Sequence, residues 1–106
     1  ATRELLAEKK RPTAIMCLAD IQALGVYEEC KKEGLSVPRD ISVVGFDDIP
    51  FAEFMNPPLT TLRQPGFRKG EVAAETLVGL IAKKDATSVL METEVVVRKS
   101  LDSARR

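Results

Sequence analysis

Histidine is absent from the 106 residues. Without it there is no Ser-His-Asp or Cys-His nucleophilic arrangement, and most zinc sites lose a usual ligand. There is no excess of charge either: Lys plus Arg and Asp plus Glu each count 16. Phosphate binding needs a local surplus of Lys and Arg, so nothing here predicts that the chain grips nucleic acid by itself. The basic groups Lys9-Lys10-Arg11, Lys31-Lys32, Arg68-Lys69, Lys83-Lys84 and Arg105-Arg106 all lie near acidic residues except the last, the pattern of solvated helix ends. No apolar stretch approaches about 20 residues, the length of a membrane-spanning helix. Residues 1–10 are charged and lack the apolar core of a signal peptide. Cysteine is scarce, and Cys17 and Cys30 do not make a C-x-x-C motif. Two buried, reduced thiols in a cytosolic protein is the favoured reading, with a single disulfide as the alternative. The six glycines form neither G-x-G-x-x-G nor G-x-x-x-x-G-K-[ST]. No cofactor, no metal and no enzymatic activity are expected.

What is present reads as alternating strands and helices. The chain begins without Met, in what resembles the middle of a helix over Arg3–Lys9 that Pro12 stops, so it is expected to be part of something longer. Thr13–Leu18 is a continuous apolar run and predicts a strand buried on both faces. Asp20 offers an N-cap carboxylate for a helix to about Glu33, and Gly34 supplies the left-handed position that ends it. That helix is apolar over more than one stripe: Ile21, Leu24 and Gly25 on one side, Ala23, Val26, Tyr27 and Cys30 on another. So wide an arc buries one face in its own core and part of another against a partner. Ile41–Phe46 predicts a second buried strand, Phe51–Met55 a helical turn, and Leu59–Arg63 a third strand. A helix follows over Arg68–Lys84 with Val72, Ala73, Leu77, Leu80 and Ile81 in its apolar stripe, then a last strand at Glu94–Arg98. The class is α/β with a mainly parallel sheet.

Carboxylates are plentiful, but Asp47 and Asp48 stand where α/β proteins place function, just past the carboxyl end of a strand. Neighbours in sequence diverge in direction, so Asp47 is read as a ligand group, with a plain turn residue as the alternative, and Asp48 as structural. An ionised carboxylate accepts hydrogen bonds from vicinal hydroxyls, and such charge-assisted bonds are strong. Gln64 ends the third strand; its amide can donate and accept, and it is read either as a ligand contact or as a surface loop amide. Phe51 and Phe54 could supply an apolar wall, and Phe46 belongs to the core.

Three blocks are more specific. Pro12-Thr13-Ala14-Ile15 followed by Asp20-Ile21-Gln22-Ala23-Leu24-Gly25 is similar to the P-T-A-x(4–5)-N-D-x-x-A-x-G stretch of LacI/GalR bacterial transcription regulators. Residues Leu35 to Asp48, with Val37-Pro38, Asp40-Ile41-Ser42-Val43-Val44-Gly45-Phe46 and Asp47-Asp48, resemble that family's most distinctive segment. Pro57-Pro58-Leu59-Thr60-Thr61-Leu62-Arg63-Gln64-Pro65 resembles the motif that follows. The resemblance covers essentially the whole chain. It implies part of a parallel-sheet, periplasmic-binding-protein-like type I (Rossmann-like) effector domain. In that frame residues 1–63 and 94–106 form the C-terminal subdomain, and 64–93 are a crossover helix segment of the other. The family's effector aspartate falls on Asp47 and its glutamine on Gln64. Ala19 stands where the family often has an Asn that bonds ligand hydroxyls. The family's dimer surface falls on Leu24, Tyr27, Glu28, Lys31, Phe51, Phe54 and Met55. The partners implied are a small effector, a sugar or related polyol, a second copy of the chain, and operator DNA reached only through a DNA-binding domain that this sequence lacks. A cytoplasmic location goes with that role. A sugar-binding protein of a transport system, which shares the fold and ligand class, is the alternative.

Overall fold

The apolar run around Val43 becomes an inner strand of a four-stranded sheet in the computed structural model, which describes residues 1–103. Arg105 and Arg106, the last basic group, lie outside the described residues. Two compact units are formed, one by Ala1–Arg63 with the residues from Val95 onward, the other by Gln64–Glu94.

The first unit contains α1 (Thr2–Leu6), β1 (Ala14–Met16), α2 (Asp20–Lys32), β2 (Ser42–Asp47), a 3₁₀ turn (Pro50–Phe54) and β3 (Thr60–Arg63). Most of β4 (Glu94–Val96) belongs to it as well. The sheet order is β1-β2-β3-β4. β1 pairs with β2 and β2 with β3, both parallel, with Ile15 opposite Val43 and Val44 opposite Thr60. Parallel neighbours cannot be joined by a tight turn, and α2 is the crossover from β1 to β2. It turns Asp20, Ala23, Val26 and Cys30 inward, a spacing that keeps one face on the sheet. Ile41, Val43 and Leu59 meet that face with no exposed surface, each contributing about 1.5–3 kcal/mol by burial. Cys17 and Cys30 are buried and free, not disulfide-bonded. α2 ends as its sequence predicts: Gly34 has φ +71°. The Leu35 N–H donates to Cys30 O at 2.8 Å and the Gly34 N–H to Lys31 O at 3.2 Å, the paired closure of a helix that needs a left-handed residue. α1 packs on α2 through Leu6 and an Arg3–Glu29 ion pair of 2.8 Å.

One expectation fails at β1. The strand is three residues long rather than Thr13–Leu18, and it is not buried on both faces: Met16 is 59% and Leu18 81% exposed. It lies at the edge of the sheet, with β2 as its one strand neighbour among the described residues.

The second unit is built on α3 (Gly66–Ile81), which has no buried residue. Its stripe of Val72, Leu77 and Leu80 borders an open groove of about 680 Å³, walled opposite by Val89 and Met91. Among the described residues no helix is long and apolar enough to cross a membrane.

Candidate functional site

β2 runs outward from the core and ends at Asp47, paired with Arg63 of β3. Here the backbone leaves its ordinary range: Asp47 has φ 116° and Asp48 φ 57°. Positive φ is rare for a residue with a Cβ, although Asp tolerates it better than most. Asp47 is exposed. Asp48 turns the other way and is clamped: its Oδ1 takes Arg98 Nη2 at 2.7 Å, and its Oδ2 takes Arg63 Nε at 2.7 Å. Burial alone would push the Asp48 carboxyl up, but the hydrogen bonds and positive charge of Arg98 and Arg63 outweigh it and hold the group below the usual carboxylate range. Arg98 also donates Nη1 to Leu59 O at 2.8 Å, and its N–H goes to Thr60 Oγ1 at 2.8 Å. Ser100, fully buried, accepts the Thr60 N–H at 2.8 Å and donates to Val43 O at 2.6 Å. The segment after β4 thereby binds β2 and β3 together.

Asp20 is a correction to the sequence reading. The N-cap of α2 is Ala19, with no side-chain cap hydrogen bond. Asp20 is the first helical residue, has no exposed surface, and accepts the Ile49 N–H at 2.9 Å and the Thr61 hydroxyl at 2.5 Å. The space it occupies is left by Gly45, where a Cβ would overlap the Asp20 carboxylate. A lone glycine in the middle of an apolar strand is the one sequence signal of such a close approach. Thr61, Arg98 and Ser100 gave no such signal.

Gln64 lies in the second unit, half-buried, and accepts from Lys69 Nζ at 2.5 Å. The seven expected dimer residues separate into two groups. Glu28 and Lys31 are exposed, as are Phe51 at 51% and Phe54 at 72%. Leu24 and Tyr27 are partly buried against the core; the Tyr27 hydroxyl donates to Pro57 O at 3.0 Å, and burial pushes it up to about 12. Met55 is 5% exposed and belongs to the core, because the 3₁₀ turn rolls Phe51 and Phe54 outward and Ala52 and Met55 inward. Tyr27, Glu28 and Lys31 line an open groove of about 620 Å³ with Leu35, Val37 and Pro57. Among the described residues no group of three or more Cys, Asp or Glu could hold a metal ion.

The family model described as periplasmic binding protein-like domain matches residues 1–101. A lactose operon repressor of Rhizobium radiobacter is 44% identical over 99 residues, covering 92% of this chain and 88% of that protein. The chain belongs to the LacI/GalR family. A further relative, the ribose operon repressor of Haemophilus influenzae, is 36% identical over 105 residues, 97% of this chain and 32% of its own length. The chain therefore spans about a third of the length of relatives of that kind. Among solved structures, a LacI family regulator of Enterococcus faecium with bound ribose superposes with a TM-score of 0.84 at 31% identity, over 98% of this chain and 39% of that one. The lac repressor dimer bound to operator and an anti-inducer gives 0.86 at 33%, over 96% and 36%. The fold is that of LacI/GalR effector domains, in part, and the relatives are named as repressors, not enzymes.

Proposed function

We propose that this chain is the sensing and pairing part of a LacI/GalR regulator. It binds a small hydroxyl-bearing effector, a sugar or related polyol, and joins a second copy of itself. It controls operator DNA in the cytoplasm through another part of the full-length protein. The observation that carries the reading is Asp47: an exposed carboxylate, at the carboxyl end of an inner parallel strand, on a backbone held at φ 116°. Ligands of open α/β sheets bind at that end of the strands, and backbone in sparsely populated regions clusters at binding sites. Gln64 is a second proposed effector contact. Ribose and lactose in the names of the relatives support the ligand class. Ala19, where the family often has Asn, removes one polar contact, so the particular sugar need not be either of these.

Glu28, Lys31, Phe51 and Phe54 are the exposed part of the proposed dimer surface, with Leu24 and Tyr27 at its edge and Met55 supporting it from inside. Calorimetric titration of the full-length protein with D-ribose and lactose tests the sensing role. Asp47→Asn keeps the shape and removes the charge, and should weaken the sugar that binds by roughly 1.5–3 kcal/mol, the range for hydrogen bonds to charged groups. Equal affinity of the two forms removes Asp47 from the site.

A further inference from the structure

Asp20 is fully buried, and nothing in the start of α2 uses its side chain. A buried carboxylate is costly unless hydrogen bonds satisfy it. Its bonds all lead to one place. Oδ2 takes the Ile49 N–H at 2.9 Å, and Oδ1 takes the Thr61 hydroxyl at 2.5 Å. The same Thr61 oxygen accepts the Asp48 N–H at 3.4 Å. The two amides that follow Asp47 are thus tied, directly or through one hydroxyl, to a single buried group.

The segment so tied is the strained one. Within the first unit, Asp47 and Asp48 are the described non-glycine residues with positive φ, and such conformations persist only where the surroundings over-determine them. β2 gives up a side chain at Gly45 to admit the carboxylate beneath the turn. Position at the first turn of α2 adds the favourable end of the helix dipole. From this geometry we infer that Asp20 is a positioning residue for the effector contact: it sets the backbone of the Asp47–Asp48 turn, and the affinity carried by Asp47 depends on it. The inference rests on the reading of Asp47 as an effector ligand.

The test uses the full-length protein, with D-ribose as the probe, in four forms: wild type, Asp20→Asn, Asp47→Asn and the double variant. Asp20→Asn keeps the volume but replaces one accepting oxygen by a group that cannot accept. Affinity should fall tenfold or more when Asp47 is present and less than twofold in the Asp47→Asn background. A general loosening of the fold lowers both backgrounds alike. Equal losses, or no loss in the first, overturn the inference; wild-type affinity in Asp47→Asn alone overturns the reading of Asp47 instead. If Asp20→Asn does not fold, Thr61→Val should reproduce the tenfold loss and Thr61→Ser should restore binding to within twofold; identical behaviour of the two overturns the inference. A second arm needs no sugar and decides the matter where D-ribose does not bind. The Ile49 amide should exchange its hydrogen at least tenfold faster in Asp20→Ala, which leaves it no side-chain acceptor, while the Leu59 amide, bonded to Ala52 O, keeps its rate. Unchanged protection at Ile49 overturns the inference whatever the sugar does.

Discussion

Asp47 and Asp48 are adjacent, of one chemical type, and do different things because their surroundings differ. Asp47 is exposed, whereas the Asp48 side chain retains 7% exposure between two guanidinium groups. Arg98 is the more enclosed of the two arginines, at 17% against 50% for Arg63, so it carries more of the clamp. Replacing it by Met should cost about 1.5–3 kcal/mol near neutral pH, the range for hydrogen bonds to charged groups. The depressed Asp48 group fixes the sign of the pH effect. Its contribution is present above the unfolded carboxylate value of about 3.9 and is lost as pH falls through the lower folded value. Urea midpoints of wild type and Arg98→Met should stay well apart from pH 7 to about 5 and draw closer below about 4, a residual gap remaining from the lost bond to Leu59 O. A gap that widens in acid is the result that would reject the clamp.

At the scale of elements, α2 and the 3₁₀ turn each have an inner and an outer side. α2 buries Ala23, Val26 and Cys30 but leaves Ile21 61% exposed; the turn buries Ala52 and leaves Phe54 72% exposed. The proposed dimer surface would cover this ring. Burying it would contribute roughly 2–3 kcal/mol at 25 cal/mol per Å². Phe54→Glu in the full-length protein should therefore shift sedimentation from dimer to monomer at micromolar concentration, without lowering the melting temperature of the monomer. A dimer as tight as wild type excludes Phe54 from the interface.

The whole chain of 106 residues, taken alone, has a weak point at β1. An edge strand presents unpaired N–H and C=O groups, a template for a second chain. Met16 on the strand, Leu18 just past it and Ile21 at the start of α2 are all more than half exposed. Light scattering at micromolar concentration should show self-association of this chain in isolation, and Met16→Lys should reduce it. A monodisperse monomer with a sharp melt would count against this account of the edge. Association through the β1 edge does not use Phe54, so Phe54→Glu alone should not abolish the effect.

The sequence by itself determined what depends on neighbours in the chain. Strand and helix periods and the stop at Gly34 follow from local backbone preference. The absence of His and of charge excess excluded whole classes of chemistry, and three blocks of residues pointed to the LacI/GalR family. Tertiary structure decided the rest, because the partners are far apart along the chain. Asp20 meets Thr61 across 41 positions, and Asp48 meets Arg98 across 50. A periodic pattern reports which face of an element is apolar, not which residue lies opposite. Hence Asp20 read as a helix cap, when its partners lie on β3 and in the turn after β2. Thr13–Leu18 read as a strand buried on both faces, because an apolar run does not report which of its faces another element covers.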